Sequence, residues 1–262
     1  MSSGSRGARP SGIRLRVHLV PLGFDVARAV TPAVGLRADV VVFLVERADD
    51  RPRSPLARAL RTLRSQRIAA TVQECDIWDP AAVVDEVGNL LVAVPDHDYS
   101  FNVSTGARTA SVGGTIASMF WPIRPYYQPV AYVDSSIVSP VDAPVTGSPF
   151  FIPTFELPSP DAAAVDTLRY LVEQPAPISK QLLMRHMRAA RTIHARVPTP
   201  ITPQAFHAQA NVILRHLVDW GFAATDGHGK RMRIRATEIG RGGARMFRHV
   251  VAPRPVPAVL RR

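Results

Sequence analysis

Residues 40–46 read VVVFLVE. Six apolar residues in a row, mostly β-branched and without polar alternation, predict a strand covered on both faces, as in a parallel sheet flanked by helices. Working outward, Val-rich runs at 13–20 and 70–75 predict neighbouring strands, and amphipathic stretches at 25–36 and 54–67 predict the helices between them. The alternation continues with helices at 80–93 and 108–121 and strands at 99–103 and 131–134. The order of elements predicts an α/β fold, a Rossmann-like, mostly parallel sheet domain over residues 13–135. Residues 1–12 carry no apolar periodicity and are expected to be disordered.

Composition divides the chain. Its 262 residues carry a formal charge of +11. Residues 1–160 hold 15 Arg/Lys and 15 Asp/Glu, whereas residues 161–262 hold 17 and 6, so all the excess lies in the second part. Such asymmetry is the footprint of a phosphate-backbone partner. Between the parts, residues 136–160 turn rich in Pro, Ser and Gly and read as a linker with a possible edge strand at 150–157. A single cysteine, Cys75, excludes an internal disulfide framework and a multi-cysteine zinc module. No run is long enough to span a bilayer and the N-terminus lacks a signal-peptide core, so no membrane partner and a cytoplasmic location are expected.

Residues 161–249 read as a winged helix-turn-helix domain: helices at 161–173, 178–190 and 203–220, a hairpin with its tip at 226–229, and a last helix from about Thr237. In the third helix Phe206, Ala210, Ile213, Leu214, Leu217 and Trp220 form one apolar face. Opposite them stand Gln204, His207, Asn211 and Arg215, side chains suited to base edges in a major groove. Lys230 sits at the hairpin tip, and Arg231, Arg233 and Arg235 are expected to alternate along the following strand and project from one face. Double-stranded DNA is the implied partner. Residues 250–262 are expected to be a disordered basic tail.

In the first domain two loops at strand ends stand out. One is Pro21-Leu22-Gly23-Phe24-Asp25; the other is Asn102-Val103-Ser104-Thr105-Gly106-Ala107-Arg108. In an open α/β sheet, ligands bind beyond the carboxyl ends of the strands. The two loops would therefore line one site, in which Ser104, Thr105, Gly106 and Arg108, with Asn102 at the strand end, offer hydroxyls, a glycine amide, a helix N-terminus and a charge suited to an anion. A structural turn of the same composition is the alternative. No G-x-G-x-x-G follows the first strand, so this is not a dinucleotide fingerprint.

The segments HLVPLGFD, FNVSTGAR, the Gly-Gly helix ending in MFWP and the PYYQP that follows resemble archaeal regulators carrying a CRISPR-associated Rossmann-fold (CARF) or CARF-like domain fused to a winged helix. The last segment, with LVDWGFAA, a charged wing and TEIGRGG, is similar to repressors of the MarR type. The resemblance implies a transcriptional regulator, a homodimer through the sensor domain, and an anionic nucleotide effector such as a cyclic oligoadenylate, bound by Ser104, Thr105, Gly106 and Arg108 of the second loop and by the backbone around Leu22, Gly23 and Phe24 of the first. This chain has Ala107 and Arg108 where many CARF domains have a second Gly and then Thr or Lys. No cofactor, metal or enzymatic activity is expected: G-x-S-x-G, H-E-x-x-H and P-loop motifs are absent, and Asp96, His97 and Asp98 read as a turn. Two alternatives stay open, an enzyme cleaving a cyclic oligoadenylate and an RNA-binding accessory protein.

Overall fold

The computed structural model describes residues 13–46, 53–131, 144–190 and 202–261, without the side chains of Arg53 and Lys230. It divides into two compact units. The first comprises residues up to 83, 90–156 and the segment from 255; the second comprises residues 84–89 and 157–254.

The first unit holds a six-stranded sheet. β1 (Arg16–Pro21), β2 (Val40–Val45), β3 (Ala69–Glu74), β4 (Asp98–Asn102) and β5 (Ile123–Tyr127) pair in parallel, and β6 (Phe150–Phe151) runs antiparallel at the edge, in the order β3-β2-β1-β4-β5-β6. Every residue of β2 is buried, which is the physical reason for its unbroken apolar run. The intervening helices are α1 (Val26–Gly35), α2 (Arg53–Ser65), α3 (Pro80–Ala93) and α4 (Arg108–Phe120). Gly113 and Gly114 let α4 lie close to its neighbours. A Cβ on Gly114 would sit 2.1 Å from the Phe101 ring, and one on Gly113 would sit 2.8 Å from the Pro80 carbonyl oxygen.

The fifth strand differs from expectation. It is IRPYY at 123–127, whereas of the expected 131–134 only Ala131 is described, outside any strand. Pro125 disguised it, because proline within a run reads against a strand. Here the Pro125 carbonyl accepts from the Ile152 amide, so its nitrogen also points towards the short edge strand rather than into the β4 ladder, and no bond to β4 is lost.

The second unit runs α5 (Ala162–Glu173), β7 (Ile178–Ser179), α6 (Lys180–Ala189), α7 (Pro203–Asp219), β8 (Ala223–Asp226), β9 (Arg233–Ala236) and α8 (Glu238–Met246). The three strands form an antiparallel sheet ordered β7-β9-β8. Leu168, Leu171, Leu183, Met187, Phe206, Leu214, Leu217 and Ile234 make its core. Residues 178–179, expected as the start of a helix, instead pair with Ile234 and Arg233, and Ser179 then caps α6 by accepting from the Leu182 amide. The tail expected to be disordered carries a 3-10 turn at Ala258–Arg261, with Val256 and Leu260 buried. The expected disorder of 1–12 and the stretch joining α6 to α7, 191–201, lie outside the described residues.

Candidate functional site

The switch point of the first sheet lies between β1 and β4, where the strand order reverses, and both candidate loops leave from it. They touch. A Cβ on Gly23 would lie 3.0 Å from the Gly106 amide nitrogen and 3.5 Å from Thr105 Oγ1. Gly106 has φ +81°, and a side chain there would run into Pro21, so glycine is required twice over.

Two of the candidate side chains hold the turn together. Asn102, fully buried, accepts from the Ser104 amide at 2.8 Å and donates to the Arg28 carbonyl at 2.8 Å. Ser104 Oγ accepts from the Gln128 amide at 2.6 Å. Leu22 is buried in the core. Thr105 is only 5% exposed, and its hydroxyl has no hydrogen-bond partner among the described residues. Phe24 is 52% exposed, and Gly106 and Arg108 are exposed.

Behind the turn runs a buried string of neutral polar groups. His18 Nδ1 lies 3.1 Å from the Tyr126 hydroxyl, and Asn102 is a second side-chain partner of that phenol. Burial, then the charges of Arg124 and Arg16, lowers the His18 pKa to about 4, so the ring is neutral at pH 7. Burial pushes the Tyr126 phenol up. Both groups hold geometry rather than charge.

The start of α4 is electrostatically incomplete. Asp25, Asp79, Asp161, Ser179, Thr202 and Thr237 each cap a helix by accepting from a backbone amide, but the N-cap of α4 is Ala107, which has nothing to offer. Its first residue is Arg108, a cation at the positive end of a helix dipole. An anion would relieve both. Sequence reasoning missed Arg28 and Tyr127: the Arg28 guanidinium lies 5.2 Å from the centre of the Tyr127 ring and 3.9 Å from Asp25. Nothing local to α1 marks Arg28, because the end of β5 brings Tyr127 to it.

His97 proves to be a buried structural residue, 2.9 Å through Nε2 from the Leu260 carbonyl oxygen, and Asp98 opens β4 and pairs with Arg14. Among the described residues no group of three His, Cys, Asp or Glu side chains could hold a metal ion. No helix among them is long and apolar enough to cross a membrane.

In the second unit Phe206, Ala210, Ile213, Leu214 and Leu217 of α7 are buried, and Gln204, His207, Asn211 and Arg215 are all exposed along the opposite face. On β9 the burial alternates, with Arg233 and Arg235 outward and Ile234 and Ala236 inward. Arg231, expected on that strand, instead ends a 3-10 turn at Gly229–Arg231 and is exposed. The turn arises because Gly227 and Gly229, both at positive φ, fold the chain before the strand begins. Lys230's side chain lies outside the described residues. Arg215, Arg231, Arg233 and Arg235 make no ion pair among the described residues.

A family model described as "HFX_2341_N:-like, N-terminal" matches residues 16–131. No protein of curated function matches the chain. Solved structures similar to it include Can2 from Sulfobacillus thermosulfidooxidans in complex with cyclic tetra-adenylate, with TM-score 0.36 and 14% identity over 43% of this chain and 31% of that one. Protein VC1899 from Vibrio cholerae gives 0.36 with 16% identity over 90% and 66%. A type III CRISPR defence DNA nuclease activated by cyclic oligoadenylate gives 0.37 with 12% identity over 87% and 38%. The chain thus spans less than two thirds of the length of each.

Proposed function

We propose that the chain is a ligand-responsive, DNA-binding transcriptional regulator, with a CARF-like sensor in its first unit and a winged helix in its second. The observation that carries this reading is the exposed face of α7, where Gln204, His207, Asn211 and Arg215 line up, together with the outward Arg233 and Arg235 of β9. The order of helix, short strand, two helices and hairpin is that of a winged helix, whose third helix enters the major groove and whose wing meets phosphate. Asn and Gln pair with adenine and Arg with guanine, so α7 supplies specificity and the arginines affinity.

The sensor half rests on the uncapped start of α4, with Arg108 exposed and the Thr105 hydroxyl unpartnered beside it. An anionic nucleotide is the effector this chemistry favours, and the sequence resemblance makes a cyclic oligoadenylate the first to try. Asn102 and Ser104 position the turn, while Gly106, Arg108, Gly23 and Phe24 meet the ligand. Val112 is exposed and Ile116 and Met119 are partly so on one side of α4, an apolar stripe suited to a second copy of the chain. A ligand that prefers one state of the dimer shifts DNA affinity by its differential binding, typically about 5- to 150-fold.

The test is binding of the full chain to duplex DNA and to RNA across a salt series, with and without cyclic oligoadenylates. Preference for DNA is expected, with Arg233→Ala plus Arg235→Ala weakening all sequences and Asn211→Ala relaxing specificity. A Thr105→Ala, Arg108→Ala variant is expected to lose the effector response and keep DNA binding. Equal DNA binding by wild type and the β9 variant at low salt would sink the DNA-binding reading. An effector response that survives in the α4 variant moves the ligand elsewhere.

A further inference from the structure

A second basic surface lies in the first unit, away from both candidate strand-end loops. Residues 51–73 contain six arginines, Arg51, Arg53, Arg58, Arg61, Arg64 and Arg67, and no acidic residue, although residues 1–160 as a whole are neutral. Arg58, Arg61, Arg64 and Arg67 are exposed, as is Arg37, and none of these five makes an ion pair among the described residues.

Helices α1 and α2 end in the same way. The Ala38 amide donates to the Ala33 carbonyl and the Arg37 amide to Val34; at the end of the next helix Ile68 donates to Leu63 and Arg67 to Arg64. Each is a Schellman ending, whose pivotal residue adopts the left-handed conformation that glycine fills at no steric cost. Here the pivots are Arg37, φ 56°, and Arg67, φ 58°. Between them lies a groove of about 340 Å³ lined by Arg16, Arg37, Asp39, Gln66 and Arg67. It shares Arg67 and Ile68 with a second groove of about 470 Å³ that Arg64 also lines. Arg16 is neutralised by Asp39, which it grips through two nitrogens at 2.8 and 2.9 Å, so Arg37, Arg64 and Arg67 remain uncompensated.

We propose that α2 and the two Schellman turns form a second phosphate-binding surface, for the backbone of a nucleic acid. Attraction of a cation to a helix C-terminus accounts for arginine close to those ends. It does not account for Arg58 and Arg61, one to two turns further back, or for arginine at both left-handed positions. Guanidinium groups suit phosphate because they present paired donors. A lipid surface is disfavoured because the apolar side chains of α2, Leu56, Ala59, Leu60 and Leu63, pack inward and none is exposed to insert.

The test uses the full chain and duplex DNA of arbitrary sequence over a salt series. Arg37→Gly plus Arg67→Gly puts the residue the backbone prefers at both turns, so the melting temperature is expected to hold. Each lost phosphate contact lowers the slope of log affinity against log salt by about 0.9, so a fall of about 2 is expected, with several-fold weaker binding at low salt. Arg58→Gln plus Arg61→Gln, which leaves both turns intact, is expected to act in the same direction and decides the matter if the glycine pair melts early. Unchanged affinity and slope in both variants overturns the proposal. If the β9 variant then still weakens binding, the regulator reading stands without this surface. Loss of binding to anionic vesicles with DNA binding unchanged overturns it equally.

Discussion

In the first unit a buried string of His18, Tyr126, Asn102, Ser104 and Gln128 is joined by neutral hydrogen bonds. The second unit buries a carboxylate, Asp85, which accepts from the His249 amide at 2.6 Å, the His249 ring at 3.0 Å and Arg254 at 2.6 Å, with Arg248 at 3.2 Å. Burial works against the Asp85 charge, but His249 and Arg254 outweigh it and hold the carboxyl below the usual range. Its neighbour Glu86 shares Arg254, yet burial pushes that carboxyl up. Asn89 clamps the backbone of Arg254 from both sides, accepting from its amide and donating to its carbonyl. The neutral string fixes the geometry of a turn without committing charge, which leaves the charge of any ligand to Arg108 and a helix end. The ionic cluster fixes the path of residues 248–254 and depends on every partner being present.

The comparison can be broken most forcefully at Asp85. Asp85→Ala removes the carboxylate that His249, Arg248 and Arg254 share, leaves Arg254 with Glu86 alone, and is expected to destabilise the chain by about 3–5 kcal/mol, a drop of roughly 6–20 °C in melting temperature by calorimetry. A change under about 1 kcal/mol would mean that solvent replaces the carboxylate.

His18 sharpens the contrast through pH. Its folded pKa of about 4 lies below the ordinary 6.5, so the unfolded chain binds the proton first as pH falls. The stability it contributes is complete above about pH 6.5 and is lost towards pH 4, up to about 3 kcal/mol by the size of the shift. Asp85, with a lowered pKa, adds its own loss only below the ordinary carboxylate range. Urea unfolding at intervals from pH 7 to 4 should therefore show a decline that His18→Gln removes; the same decline in both proteins would mean that His18 is not its source.

The smallest expected effect is at Asn102. Asn102→Ala strips partners from the Ser104 amide and the Arg28 carbonyl, a cost of about 1–3 kcal/mol by denaturant unfolding. Because the Ser104 amide belongs to the turn, binding of the proposed effector should fall further than stability does. A variant as stable as wild type, with its effector response intact, would show that the turn holds without the string.

What the sequence by itself determined is whatever depends on local pattern. The unbroken run of β2, the spans of α1, α3 and α7, and the two-faced pattern of α7 are each written within a few residues, because burial imposes periods of two or 3.6. The two loops could also be singled out, since ligands in such a sheet bind beyond the carboxyl ends of the strands, but that β1 and β4 are neighbours was decided by the pairing of the strands. The rest required tertiary structure. Pro125 can stand in β5 only because its nitrogen faces a short edge strand, and two residues of β7 carry no period to read. Which polar residues of the turn face inward was equally hidden: Ser104 and Asn102 look like ligand groups until the Gln128 amide and the Arg28 carbonyl arrive from distant sequence to bind them. The pairing of β1, β4 and β5 brings those partners together, and hydrogen-bond partners more than 20 residues apart leave no trace in a local window.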